Sequence, residues 1–234
     1  MLDQKALEYL VGLGKVQVIE IDGQKYSPVG LNHVKVPKVE GINVNSLTGL
    51  VDYLKSKFDD NAFDGTMVHV VSESQVKLVS NILEDSGRET YMVADAFSPK
   101  FNFGQWYDVE NFIIAMQSCF VPNEDSGRLL RVVGNIKEEN IRQSGDDGVS
   151  QQVTAKTGIA TVENIKVPNP IVLAPFRTFV EIKQPESKFV FRMQQGPRCA
   201  LFEADGGAWR LEAMKEIKEF LDSELSGMGI PIIS

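Results

Sequence analysis

Hydrophobic positions in the first half of the chain follow helical and strand spacing in turn. Three stretches repeat apolar residues every three to four positions, next to capping residues or a closing glycine, which is typical of amphipathic helices. These predicted helices cover 2–13, 46–58 and 108–120. Shorter patterns predict strands at 16–21, 67–71 and 88–94, with 74–83 forming either a further strand or a short helix. Asp22-Gly23 is typical of a tight hairpin turn.

Beyond residue 128 the pattern is almost wholly that of β-strands. The predicted strands are 129–143, 149–159, 161–166, 171–182, 188–195 and 199–203, and a last helix covers about 208–225. Strands that are not separated by helices favour an α+β fold. We therefore expect mainly antiparallel sheet in the second half, flanking helices and one extended β-hairpin arm. The expected organisation is an α/β part (1–127) and a β-rich part (128–234), or a single domain overall.

The composition is that of an ordinary globular protein. Of 234 residues, 43% are hydrophobic and 24% charged, which excludes wholesale disorder and a disulfide-rich mini-protein. The chain lacks an apolar run near the ~20 residues of a membrane span, and its first residues do not resemble a secretory signal, so we expect no membrane partner. The net charge is −8, but residues 128–218 carry 14 basic and 11 acidic side chains. Any anion-binding surface is therefore expected in the second half.

Patterns that would indicate catalysis or metal binding are weak. Cys119 and Cys199 lie in apolar stretches typical of buried, reduced thiols. His33 and His69 are the only histidines, too few for a three-histidine metal site, and no G-x-S-x-G elbow supplies a nucleophile. We predict no catalytic residue, no metal site and no cofactor. An enzyme or small-molecule binder would have to use the glycine-containing turn at 203–208, where N–H groups ahead of the last helix could hold an anion.

Aromatic and basic residues interleave over 172–198. Aromatic side chains that stack on bases beside cations are typical of proteins that bind single-stranded nucleic acid. Such a surface would use Arg177, Lys188 and Arg192. However, Phe189 and Phe191 share one face of a strand, and the same alternation is typical of a strand that faces a core.

The segment 137–158 predicts a long, polar hairpin. It contains only three large apolar residues, Ile141, Val149 and Val153. Ordering the backbone costs ~1–2 kcal/mol per residue, whereas full burial of each of these side chains returns only ~1.5–3 kcal/mol. Because an isolated hairpin is marginal in water, this segment is a flexible arm, docks on its own sheet, or orders against another subunit.

Three blocks, 150–158, 173–182 and 184–192, resemble the YfdQ-like family of uncharacterised proteins from tailed phages and prophages. The most specific run is RTF-x-E-x-x-QP-x-S-x-F-x-x-R over 177–192, within a wider likeness over about 130–200. The resemblance implies a phage or prophage origin and a location in the cytoplasm of the bacterial host, and it brings no catalytic residues. Taken physically, the run is strand-turn-strand, in which Arg177 and Arg192 can meet Glu181 or Glu186 across strands.

Two functions compete on this basis. The leading hypothesis is a non-enzymatic phage protein that self-assembles into a homo-oligomer, closed or shell-like, because symmetric copies can bury one another's arms. The alternative is an accessory protein of phage DNA recombination or replication that binds single-stranded nucleic acid.

Overall fold

The computed structural model describes residues 3–14, 18–21, 24–26, 38–59, 65–83, 86–135, 142–146, 151–157, 161–166, 169–194 and 196–234. The chain divides into two compact units, Met1–Lys38 and Val39–Ser234. The helices are α1 (Gln4–Leu13), α2 (Leu47–Ser56), α3 (Val109–Cys119), α4 (Glu124–Gly134) and α5 (Trp209–Glu224). The strands are β1 (Ile19–Ile21), β2 (Gln24–Tyr26), β3 (Ile42–Val44), β4 (Met67–Ser72), β5 (Gln75–Val79), β6 (Thr90–Asp95), β7 (Tyr107–Asp108), β8 (Phe120–Val121), β9 (Arg142–Asp146), β10 (Gln151–Thr157), β11 (Thr161–Lys166), β12 (Ile171–Pro175), β13 (Ser187–Gln194), β14 (Arg198–Glu203) and β15 (Ile232–Ile233).

The first unit contains one helix and one hairpin. Asp3 caps α1, because its side chain accepts a hydrogen bond from the backbone N–H of Ala6 at 2.8 Å. Strands β1 and β2 pair antiparallel, with Ile21 opposite Gln24. This pairing confirms the two strands of the predicted hairpin, whose turn at Asp22-Gly23 lies outside the described residues.

The second unit contains two five-stranded sheets, each covered by helices. The first sheet has the order β15-β4-β5-β6-β3; its two edge pairs, β15–β4 and β3–β6, are parallel and the others antiparallel. Helices α2 and α5 contact this sheet at β6 and β4. The second sheet has the order β7-β14-β13-β12-β8 and is antiparallel throughout. Helices α3 and α4 contact it at β14 and β12.

Each sheet has its own hydrophobic core. The core of the first sheet is mainly aliphatic, whereas the second contains a cluster of rings in offset or edge-to-face contact, which is the favoured geometry for aromatic pairs. The fully buried aromatic side chains of the second core are Phe112, Phe120, Phe189 and Phe191. Phe179 and Ile182 follow β12 in the chain but lie in the core of the first sheet. The stretch between β12 and β13 therefore connects the two cores.

Strands β9, β10 and β11 form a third sheet of their own in the second unit. We call it the arm sheet. Strand β10 is central and pairs antiparallel with both neighbours, so that Val153 lies opposite Gln143 on one side and Ile165 on the other. Within the predicted hairpin 137–158, β9 and β10 pair antiparallel, and β11 adds a third strand. Residues 137–141, 147–150 and 158 of that hairpin lie outside the described residues. Ile141 and Val149 lie outside the described residues.

The strand predicted at 129–143 is wrong over 129–134, because these residues belong to α4. Residues 142 and 143 begin β9, and 136–141 lie outside the described residues. Asn123 begins α4 with a capping box: its side chain accepts from the N–H of Ser126 at 2.7 Å, and the Ser126 hydroxyl accepts from the N–H of Asn123 at 2.9 Å. Leu129 and Val133 are fully buried on one side of the helix. Their spacing of four residues is that of a helix and not of a strand.

The strand predicted at 171–182 also ends early, at Pro175, and residues 176–186 follow as an irregular segment. With these corrections the fold is α+β, with antiparallel sheet dominating the second half. Both cores of the second unit draw residues from either side of position 127/128, and the two-part division at that position stays a prediction. Among the described residues, no helix has the length and apolar character needed to cross a bilayer.

Gly41 precedes β3 at a close approach of two backbones, and this generates a test of the first sheet. A Cβ at Gly41 would lie 2.6 Å from the carbonyl oxygen of Thr90. We expect Gly41→Ala to lower the free energy of unfolding by about 1–3 kcal/mol, as overpacking typically does. Gly127→Ala in α4 is the matched control: its Cβ would meet nothing within 4 Å, and alanine favours a helix interior by about 0.5–1 kcal/mol. Urea unfolding of both variants checks this, and equal midpoints for the two would contradict it.

Candidate functional site

The segment 176–186, which we call the junction loop, is closed by a single buried amide. The Gln184 side chain accepts hydrogen bonds from the N–H groups of Arg177 and Thr178 at 3.1 and 3.4 Å. Its NH₂ group donates to the carbonyl oxygens of Phe179 and Ile182 at 2.8 and 3.3 Å. Gln184 thus supplies hydrogen-bond partners to four backbone groups of a segment that lacks strand pairing.

The junction loop, which follows β12 of the second sheet, also forms hydrogen bonds to the first sheet and to helix α2. The Thr178 hydroxyl donates to the carbonyl oxygen of Glu73, in the turn between β4 and β5. The Glu181 carboxylate accepts from the N–H of Thr48 at 3.1 Å, in the first turn of α2. A carboxylate is favourable at a helix N-terminus because of the free N–H groups there. Several residues of the motif at 177–192 therefore have structural partners.

Arg177 lies at the centre of this arrangement. Its guanidinium carbon is 3.8 Å from the ring centroid of Trp209, and it donates to Glu203 Oε1 at 3.2 Å and to the Ser187 hydroxyl. Only 9% of the Arg177 side chain is exposed. Burial lowers the pKa of Arg177 to about 10, against the opposing influence of Asp205 and Glu203, so the group is a buried cation at neutral pH. The acid that it meets across strands is Glu203, and not Glu181 or Glu186 as predicted.

Asp205 extends the network to the start of α5. Its carboxylate accepts from the Ser187 hydroxyl at 2.7 Å and from the N–H of Gly207 at 3.0 Å. Gly206 and Gly207 have φ values of 65° and 81°, in the left-handed region that glycine tolerates. Burial pushes the pKa of Asp205 upward, but these hydrogen bonds and the charge of Arg177 hold it below its ordinary value. One of the N–H groups of the turn at 203–208 that an enzyme or small-molecule binder would have to use for an anion is therefore already bound to Asp205.

A groove of about 480 Å³ lies beside this network. Its floor includes Ser187 and Trp209, which are 4% and 6% exposed. Ser187 is hydrogen-bonded to a carboxylate, but the one histidine among the described residues, His69, is on β4 of the other sheet. No described imidazole can therefore act as its base, and the contacts of Ser187 are those of a structural link.

The three cations predicted to bind nucleic acid do not lie together at one surface. Lys188 and Arg192 are on the face of β13 that points away from the core, since the strand alternates buried and exposed positions. The Arg177 side chain is buried, where it is bonded to Glu203 and Ser187. Phe189 and Phe191, like Phe179, are buried in the cores and cannot stack on bases.

Sequence reasoning missed the aromatic residues that do lie near Lys188 and Arg192. Phe202 is opposite Val190 in the register of β14 with β13. The ring of Trp106, which is 38% exposed, lies 6.3 Å from that of Phe202 in edge-to-face geometry. The outward position of Phe202 depends on the pairing of β14 with β13, and the contact with Trp106 depends on the pairing of β7 with β14.

No family model matches the chain, and no curated protein or solved structure is significantly similar to it.

Removing the buried cation is expected to destabilise the protein. Arg177→Ala leaves Glu203 and Ser187 without their donor, and we expect a loss of about 2–3 kcal/mol in the free energy of unfolding. This is less than the ~3–5 kcal/mol of a fully buried pair, because the Glu203 side chain is 39% exposed. Arg198→Ala, which removes an exposed arginine from β14, is the control and should change stability by less than about 0.5 kcal/mol. Equal effects in denaturant unfolding would contradict a structural role of Arg177.

The lowered pKa of Asp205 predicts a contribution to acid sensitivity. A carboxyl whose folded pKa lies below its unfolded value stabilises the protein above the unfolded pKa of about 4. The contribution is lost as the pH falls through the lowered folded value. We expect Asp205→Asn to be less stable than the parent at pH 7 and to lose less stability between pH 6 and pH 3. Thermal unfolding over that range measures both curves, and parallel curves would refute the linkage.

Proposed function

We propose that this protein is a non-enzymatic component of a phage or prophage that self-assembles into a homo-oligomer in the host cytoplasm. A closed arrangement is the favoured form, because a closed ring or shell gives every copy the same partner surfaces and leaves none uncovered. The phage origin is supported by the resemblance of 177–192 to the YfdQ-like family. Self-assembly is supported by two features of the fold.

The observation that carries the proposal is the exposure of large apolar side chains in the first unit. Nine of them, within 20 positions of the sequence, are 48–68% exposed: Leu7, Tyr9, Leu10, Val11, Leu13, Val18, Ile19, Ile21 and Tyr26. None of the residues of α1 is buried. A ten-residue helix is marginal in water by itself, and exposed apolar patches of this density are typical of protein–protein contact sites.

The arm sheet supports the same conclusion. Among the described residues it shares no strand pairing with the two larger sheets. Strands β9 and β11 each pair only with β10 there, so each has one edge of backbone groups that can pair with a strand from another chain. Ile141, Val149 and Val153 remain the residues that we assign to the assembly arm.

The alternative function, binding of single-stranded nucleic acid, cannot use the surface originally expected. Arg177 is buried and the phenylalanines next to it belong to the cores. Lys188 and Arg192 keep the outward positions that such a function needs.

Self-assembly predicts a solution mass well above that of one chain. Light scattering coupled to size-exclusion chromatography at micromolar concentration should give a multiple of 26.0 kDa. Leu10→Asp, at a position 53% exposed in one chain, should shift the mass toward the monomer because burial of a charge in the interface is unfavourable.

Lys5→Asp provides the matched control, since it introduces the same acid at an exposed polar position of α1. It should leave the mass unchanged. A parent protein that elutes as a 26.0 kDa monomer would overturn the proposal. An equal decrease in mass for both variants would show that the apolar side chain at position 10 has no specific role in assembly.

A further inference from the structure

The outward face of the second sheet combines three basic side chains. Lys188 and Arg192 belong to β13, and Arg198 belongs to β14, where it lies opposite Gln194. Lys188 and Arg198 are exposed and Arg192 is half-buried. Because alternate residues of a strand share a face, all three cations are on the side away from the aromatic core.

An apolar row crosses the same face between the cations. It consists of Val190, Phe202 and Trp106, connected by the register of β13 with β14 and by the contact between the two rings. Val190 is two residues from Lys188 on one side and from Arg192 on the other, which places the row about 7 Å from each along the strand. The face therefore has two aromatic rings in edge-to-face contact, with basic side chains on both sides of them.

The nearest acid in the sheet register does not cancel this charge by pairing. Asp108 is opposite Arg198, but its carboxylate accepts from the N–H of Asn111 at 2.9 Å and from the Asn111 side chain at 2.6 Å. These hydrogen bonds, which cap α3, lower the pKa of Asp108. The Asp108 carboxylate is thus directed toward its own helix.

We infer that this face binds single-stranded nucleic acid, with bases stacked on Trp106 and Phe202 and phosphates held by Lys188, Arg192 and Arg198. Stacking on aromatic side chains is tolerant of sequence, since every base has a π-face. Duplex bases are already stacked on each other, so exposed aromatic rings that accept unpaired bases favour single strands. The site differs from the one expected from the sequence by the loss of Arg177 and of the core phenylalanines, and by the gain of Phe202 and Trp106. Arg198 is the last residue of the basic and aromatic stretch 172–198 that indicated such a surface.

Fluorescence anisotropy with labelled oligothymidylate and oligouridylate of about 15 nucleotides, and with a duplex of the same length, tests this inference. We expect both single strands to bind more tightly than the duplex at low salt. Arg198→Ala and Lys188→Ala should each reduce the slope of log K against log salt by about 0.7, the value for one phosphate contact on a single strand. Trp106→Ala should weaken binding about fivefold or more, with a smaller effect on the salt slope.

Lys215→Ala is the matched control, because it removes one exposed cation from α5, which contacts the other sheet. It should leave affinity and slope unchanged. Absence of binding at low salt, tighter binding of the duplex, or equal effects of Lys215→Ala and Arg198→Ala would each overturn the inference. Solution mass is measured on every variant, so that loss of binding with an unchanged mass is separated from failure of self-assembly.

Discussion

A single buried cation determines how the parts of the second unit fit together. The guanidinium of Arg177 faces Trp209 at the start of α5 and bonds to groups at the start of β13 and the end of β14. Transfer of a cation out of water costs several kcal/mol, which is recovered only when its hydrogen bonds are well placed. An arrangement of β13 and β14 that did not bring Ser187 and Glu203 together would leave this charge without its hydrogen-bond partners. The buried cation therefore specifies the fold mainly because alternative arrangements would leave it without hydrogen-bond partners, and less because it adds net stability.

The junction loop shows why directional contacts are needed where the chain passes from one hydrophobic core to the other. β12 belongs to the second sheet, yet Phe179, four residues after its end, is buried in the first core. Hydrophobic burial is not directional, so it does not determine the path between the two cores. The amide of Gln184 and the hydroxyl of Thr178 supply the directional contacts that do. Apolar burial thus stabilises the two cores, and a few buried polar groups determine the path of the chain between them.

Local patterns in the sequence predicted the elements whose period is unambiguous. The alternation of apolar and polar residues in β13 predicted both the strand and its two faces. The capping residues Asp108 and Ser46 predicted the starts of α3 and α2. Helix α4 was missed because Leu129, Leu130, Val132 and Val133 form a nearly continuous apolar run, which a strand and a helix share over so short a distance. Its cap, Asn123 with Ser126, is a less familiar variant of the capping box.

The outward face of the second sheet, with its three basic side chains, could be predicted only in part, because several of its residues come together through strand pairing. Lys188 and Arg192 are two positions of one strand, whereas Arg198 and Phe202 join them through the pairing of β13 with β14, and Trp106 through β7. The net charge of −8 does not oppose a site of this kind. At physiological ionic strength, charges more than ~8 Å away are largely screened, so a single strand bound on this face, as we propose, would respond mainly to the charges beside it. Acids elsewhere on the chain would then discourage binding at other surfaces, and this would make a locally basic face on an acidic protein selective.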